Sequence, residues 1–111
     1  MTGQKDGESS TLIRQKVEAA RQRQLRRFKG SNITCNAAMN TRVLRDCLHL
    51  HQAGERMMQM AFNRLHLSAR AYERILKVAR TIADLDESDQ VLSQHVAEAL
   101  SYRAYDRQGL K

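Results

Sequence analysis

Proline is absent from all 111 residues of this chain, so the residue that most strongly interrupts helices occurs nowhere in it. Ala, Leu, Arg and Gln lead the composition, and all four favour helices. No stretch alternates apolar and polar residues in the manner of a half-buried strand. The sequence therefore predicts an all-α fold, a bundle of about five helices joined by short polar turns.

Apolar residues at spacings of three and four, separated by turn residues, delimit the predicted helices. The first helix begins near Ser9 or Ser10 and reaches about Lys29, where Gly30 ends it. The other four helices are predicted at residues 39–48, at residues 53–65, after the cap residue Ser68, and after the cap residue Ser88.

The periodicity also assigns a buried face and a polar face to individual helices. The core face of the third helix is predicted to consist of Met57, Met58, Ala61, Phe62 and Leu65. The polar side of the fourth helix is predicted to carry Arg70, Glu73, Arg74, Lys77 and Asp84. The inner face of the fifth helix includes His95, which we expect to be a satisfied core or rim histidine.

A chain of this length is predicted to be one domain with one modest core. Residues 1–9 are polar, contain glycine and show no periodicity, so we expect a flexible lead-in there. Residues 10–107 form the expected helical domain, and residues 108–111 a polar tail.

The net charge of +7 and the pI near 10.0 favour anionic partners such as nucleic acid or nucleotide phosphates. Neither a signal peptide nor a long apolar run accompanies the two cysteines, Cys35 and Cys47. We therefore expect a cytoplasmic protein with reduced thiols and no membrane partner.

The first predicted helix is strongly basic, with seven Lys and Arg residues between positions 12 and 29 against one acid, Glu18. These cations could neutralise a nucleic-acid backbone or contact another subunit, or they could form a solvated charged surface. Both interpretations stay open at this point. The candidate contact residues are Arg14, Lys16, Arg21, Arg23, Arg26 and Arg27.

The sequence lacks the patterns that three kinds of chemistry require. No phosphate loop and no acidic magnesium ligand on a strand are present, so the chain is not expected to hydrolyse ATP alone. No turn presents a nucleophile to a base. The alternate spacing of Cys47, His49 and His51 does not favour ligands that converge on one metal ion, and the other candidate ligands are Cys35 and His66. We therefore expect no metal site.

Arg70 and Arg74 lie one turn apart at the start of the fourth predicted helix. A helix N-terminus carries partial positive charge and free N–H groups, so an arginine there is a mild electrostatic misfit unless an anion is present. The two residues could be ordinary surface cations paired with Glu73 and Asp84, or they could receive a phosphate held by another domain.

The same segment resembles a known family. LSARAYERILKVARTIADL at residues 67–85, followed by HVAEALSYR at 95–103, is similar to the C-terminal domain of the magnesium-chelatase-like AAA+ ATPases of the ComM or YifB type. GESSTLIRQKVEAARQRQLRRF at 7–28 and CNAAMNTRVLRDC at 35–47 resemble earlier parts of that domain. The resemblance implies that residues 10–107 are a magnesium-chelatase-type C-terminal domain with an AAA+ lid-like fold.

The resemblance also implies a role for Arg70. AAA+ lids carry a serine-x-arginine or threonine-x-arginine motif at the start of one helix, and its sensor-2 arginine approaches the γ-phosphate. Ser68, Ala69 and Arg70 match that motif, which makes Arg70 the sensor-2 candidate and Arg74 a second contributor.

Further expectations from the resemblance concern a longer parent protein, of which this chain would be one domain or a truncated product. An AAA+ core in the same polypeptide would bind ATP and Mg, the parent would assemble as a homo-hexamer, and it would act on DNA in branch migration or competence. The domain alone is expected to need no cofactor. A free-standing basic protein that binds nucleic acid through the first helix is the alternative, and a metal or redox module would require Cys35 and Cys47 to converge.

Overall fold

The structure, a computed structural model, describes residues 2–109, and it describes side chains for residues 10–102. Within that part of the chain the fold is all-α, as predicted, and its only pairing of extended segments is an isolated bridge between Leu50 and Val91. The five helices are α1 (Thr2–Arg27), α2 (Thr41–Cys47), α3 (Gln52–Leu65), α4 (Ala69–Leu85) and α5 (Ser93–Gly109), and a 3-10 helix (Asn36–Ala38) precedes α2.

Both ends of the domain contain more helix than the sequence predicts. Helix α1 begins at Thr2 rather than at Ser9 or Ser10, since extending a helix needs no new nucleus and no proline stops it. Helix α5 continues to Gly109, and the rest of the expected tail, residues 110–111, lies outside the described residues. None of the described helices is long and apolar enough to cross a membrane.

The prediction that Ser88 caps the fifth helix is wrong. Its hydroxyl donates to the carbonyl of Gln90 at 2.6 Å, and α5 begins five residues later. The intervening backbone is engaged elsewhere, because Val91 donates to the carbonyl of His49 at 2.9 Å and accepts from the N–H of His51 at 2.8 Å. A segment bonded in this way cannot also form the first turn of a helix.

Helix α4 lies at the centre of the bundle and packs against α1, α5 and the 3-10 helix, while α3 packs against α5. Gly54 permits a close approach of α3 to its neighbours, because a Cβ there would lie only 3.0 Å from Leu50 Cδ1 and 3.3 Å from Val96 Cγ2 of α5. Met58 and Val96 are fully buried beside it.

The predicted core face of α3 is only partly correct. Met58 and Ala61 are buried, but Phe62 and Leu65 are 45% and 41% exposed. Phe62 makes an edge-on contact with Tyr72 instead, with 5.7 Å between the ring centroids. The apolar pattern of α3 therefore extends past the part of the helix that other elements bury.

A buried charge network joins α1 to α4. Asp84, predicted on the polar side of α4, is fully buried and accepts two hydrogen bonds from Arg27, at 2.8 and 2.7 Å. It also accepts one from the Asn36 amide at 2.8 Å and forms an ion pair with Arg80 at 3.1 Å. Burial raises the pKa of Asp84, but the hydrogen bonds from Arg27 and Asn36 and the charge of Arg80 outweigh it, so the net pKa is lowered.

Arg80 is itself fully buried, a position that arginine rarely occupies without several acceptors. Its guanidinium donates to the carbonyls of Leu48, Ser88 and Asp89 at 3.1, 2.7 and 2.9 Å. One side chain thus joins α4 to the end of α2 and to the loop before α5.

Replacement of Asp84 by Ala is expected to lower the free energy of unfolding by about 3–5 kcal/mol, because the buried guanidinium of Arg80 and the partly buried one of Arg27 lose their counter-charge. Urea denaturation followed by circular dichroism measures the change. Asp46→Ala is the matched control, since that carboxylate is exposed on α2, and it should stay within about 0.5 kcal/mol of the wild type. An equal effect of the two substitutions would contradict the importance assigned to the network.

Candidate functional site

The start of α4 is built as the sequence predicts. The backbone of Ser68 is extended, and its hydroxyl accepts a hydrogen bond from the N–H of Ala71 at 3.1 Å. Ala69 is the first helical residue and Arg70 the second. Arg70 therefore projects from the first turn, where the helix dipole is positive.

A groove of about 650 Å³ runs along α4 and contains both sequence-predicted nucleotide-site residues, Arg70 and Arg74. Lys77 lies one turn further along the same helix and also lines the groove. The remaining lining includes Val78, Thr81, Ile82 and Leu85 of α4, Ala37 of the 3-10 helix, Glu73, and Glu98 and Tyr102 of α5.

The acids of the groove already have partners. Glu73 accepts a hydrogen bond from the Thr41 hydroxyl at 2.7 Å, and Glu98 accepts one from the Tyr102 hydroxyl at 3.2 Å. The hydrogen bond to Glu98 is the main cause of the raised pKa of Tyr102. Among the described residues, neither acid forms an ion pair with Arg70, Arg74 or Lys77.

The cations of the groove differ in whether they have a hydrogen-bond partner. Lys77 donates to the carbonyl of Ala37 at 3.5 Å, the upper limit for a hydrogen bond. Arg70 and Arg74 are exposed and make no hydrogen bond or ion pair with any described residue. The alternative pairing of these arginines with Asp84 is wrong, because that carboxylate is buried against Arg27 and Arg80. Two guanidinium groups are thus available to an anion.

The cations of α1 are divided between two roles, which the sequence could not separate. Arg23 contacts the Asp89 carboxylate and the Glu87 carbonyl, each at 3.1 Å, and Arg27 binds Asp84. These two predicted contact residues serve the fold. Lys16 lies close enough to Asp86 to contribute to its lowered pKa, although the hydrogen bond with His95 is the main cause. The other three candidates, Arg14, Arg21 and Arg26, are exposed.

Two of the histidines, His51 and His95, make hydrogen bonds within the fold. His51 Nδ1 accepts from the N–H of Ala53 at 3.1 Å and so caps α3. His95 is buried, as expected, with Nδ1 accepting from Leu92 and Nε2 bonded to Asp86 at 3.0 Å. Cys35 and Cys47 are both free. Among the described residues, no group of three or more His, Cys, Asp or Glu could hold a metal.

The sequence pattern did not assign Lys77, Glu98 or Tyr102 to a site with Arg70. Lys77 was assigned only to a polar face, although its spacing of three from Arg74 was sufficient to place both on one side of the helix. Glu98 and Tyr102 could not be found from local pattern, since they reach the groove from α5.

The family of the domain follows from comparison of the whole chain with known proteins. A family model described as the C-terminal region of the magnesium chelatase subunit ChlI matches residues 7–103, which include all of α2, α3 and α4. The chain belongs to this family.

Several relatives of this magnesium chelatase C-terminal domain are longer proteins. The uncharacterized protein YifB of Escherichia coli is 46% identical over 101 residues, and YifB of Salmonella typhimurium is 45% identical over the same number. The competence protein ComM of Haemophilus influenzae is 44% identical over 102 residues. Each match covers 91% of this chain but only 19% of the relative, so the domain spans about a fifth of their length.

Replacement of Arg70 by Ala is expected to leave the stability of the domain within about 0.5 kcal/mol of the wild type, because the side chain is exposed and contacts no acid. Leu76→Ala, on the buried side of the same helix, should cost about 2–5 kcal/mol. Urea denaturation measures both. A loss on Arg70→Ala comparable to that of Leu76→Ala would identify Arg70 as a structural residue.

Proposed function

We propose that this domain is the lid of a ComM/YifB-type AAA+ ATPase and that Arg70 is its sensor-2 arginine. The ATP site itself, with its Mg, would be built by the nucleotide-binding core of the parent protein. The observation that carries the proposal is the groove along α4, in which Arg70 and Arg74 are exposed and form no ion pair with any described residue.

The position of Arg70 suits contact with a terminal phosphate. A guanidinium presents paired N–H donors that match two phosphate oxygens, and the first turn of a helix adds its own positive potential. Arg74, one turn away, would add a second charge on the same side. The contact would exist with a nucleoside triphosphate and be lost when the γ-phosphate leaves.

The construction of α4 supports a role in passing that change to the rest of the domain. Arg80 and Asp84 lie further along the same helix as Arg70, and their buried contacts bind it to α1 and to the loop before α5. A force applied at Arg70 would therefore move the domain as a body rather than bend α4 alone. In the parent, this would couple loss of the γ-phosphate to rotation of the lid.

Assembly of the parent as a homo-hexamer belongs to the same proposal. Each domain would then lie beside two others, and Arg70 would complete a site built mostly by the cores. The domain would act on the state of the ring and contribute no nucleophile or metal ligand to the reaction.

The test is ATP turnover by the full-length parent with Arg70→Ala. Turnover should fall about 100-fold, the loss typical of removing one donor that stabilises transition-state charge. Arg70→Lys should recover only part of the rate, because an ammonium cannot make the paired contact.

Arg56→Ala is the matched control for that measurement, since Arg56 is an exposed arginine of α3 outside the groove. It should leave turnover unchanged. Unchanged turnover with Arg70→Ala, in a protein that keeps its helicity, would show Arg70 to be an ordinary surface residue and would end the sensor-2 assignment.

We also propose that the parent acts on DNA, as expected from the resemblance. The support is the name of the Haemophilus influenzae relative, a competence protein. The alternative, a domain that binds nucleic acid by itself through α1, has less support because Arg23 and Arg27 are engaged in the fold.

Duplex DNA should accordingly stimulate ATP turnover by the full-length parent, while the isolated domain should bind the same duplex only weakly. Fluorescence anisotropy at several salt concentrations measures the second quantity. Tight binding by the domain alone, with a steep decrease as salt rises, would favour the nucleic-acid-binding alternative instead.

A further inference from the structure

A second groove lies between α1 and α4, on the side of α1 that carries Arg21. Its volume is about 530 Å³, and its lining includes Val17, Ala20 and Leu25 of α1 and Leu85 of α4. Val17 and Leu25 are 44% and 46% exposed, although both belong to a helix that packs on the domain. The groove is therefore a mostly apolar surface, with Gln24, Thr34 and Thr81 also in its lining, that no described part of the chain covers.

Cations alternate with these apolar residues along one side of α1. Arg14, Val17, Arg21 and Leu25 follow one another at spacings of three, four and four, which places them in one row. Arg14 and Arg21 are exposed, and neither has an acid partner among the described residues. Glu18, the one acid of α1 among the residues whose side chains are described, accepts a hydrogen bond from the Gln22 amide at 3.0 Å.

We propose that this groove docks an acidic amphipathic helix of another protein segment. The apolar side chains of that helix would cover Val17, Leu25 and Leu85, and its carboxylates would pair with Arg14 and Arg21. The two arginines are seven residues apart, about 10 Å along α1, so acids two turns apart on the bound helix would match them.

The chemistry of the groove favours such a helix over the other occupants. A nucleic-acid backbone could neutralise the arginines but would leave Val17 and Leu25 in water, and the lining contains no aromatic residue on which a base could stack. A second copy of the same surface would bring like charges together. An acidic helix with one apolar face complements both the positive charge of the arginines and the apolar surface between them.

This inference does not depend on the assignment of Arg70. Fifteen residues of α4, about 22 Å, separate Arg70 from Leu85. Thr81 and Leu85 line both grooves, but Arg70 lies outside the lining of the second one, so either proposal can fail while the other stands.

The experiment uses a fluorescein-labelled synthetic peptide of about 18 residues, with leucines at helical spacings of three and four and glutamates elsewhere. Its binding to the 111-residue chain is measured by fluorescence anisotropy. We expect saturable binding that weakens about tenfold or more with Leu25→Asp and with Arg21→Glu. A peptide of the same charge with its leucines replaced by serine should bind at least about tenfold more weakly.

Helix α1 offers a matched control for each substitution. Leu12 is 55% exposed and lies on the opposite side of the helix, and Arg26 is an exposed arginine outside the groove. Leu12→Asp and Arg26→Glu introduce the same changes of charge and should alter peptide binding by less than about twofold. Circular dichroism should show equal helicity for all four variants, because each changed side chain is exposed or half exposed.

Three outcomes would overturn the proposal. One is the absence of peptide binding at millimolar concentration by a folded chain. Another is an equal loss of peptide affinity with Arg21→Glu and Arg26→Glu, which would indicate that the peptide is attracted by the net charge of the chain alone. The third is displacement of the peptide by an equal concentration of duplex DNA whose own binding is insensitive to Leu25→Asp, which would identify a nucleic-acid surface.

Discussion

The carboxylate of Asp84 is the group on which the arrangement of this domain depends. It is fully buried, and it receives Arg27 from α1, Asn36 from the 3-10 helix and Arg80 from its own helix. A buried charge is tolerated only with partners in good geometry. A placement of α1 that separated Arg27 from Asp84 would remove two hydrogen bonds to this buried carboxylate, so the network favours the observed position of α1 on α4.

That placement decides which cations of α1 remain available. Helix α1 directs Arg23 and Arg27 toward acids of the bundle, and the same rotation leaves Arg14 and Arg21 on the other side, beside the groove of Val17 and Leu25. A helix that looks uniformly basic in sequence is thus two surfaces with different chemistry. One holds the domain together, and the other offers charge and apolar area to a partner.

Local rules were sufficient wherever a feature is made by neighbours in sequence. The Ser68 cap and the position of Arg70 next to it are contacts within four residues, and both were predictable. Ser88 shows the limit of such rules, since it had the residue type of a cap but its segment is held by backbone bonds to residues 49–51. Phe62 shows the same limit for burial, because periodicity identifies an apolar face without saying how far a neighbouring helix covers it.

The sequence by itself determined the all-α class, the family and the presence of an arginine pair at the start of one helix, because each depends on residue types at short spacings. Only the tertiary structure decided that Asp84 and Arg80 are buried, that two arginines of α1 belong to the fold, and that Glu98 and Tyr102 share a groove with Arg70. These features depend on contacts between residues that are far apart in sequence. A charged residue has the same local pattern whether it faces water or a buried partner, and packing alone distinguishes the two.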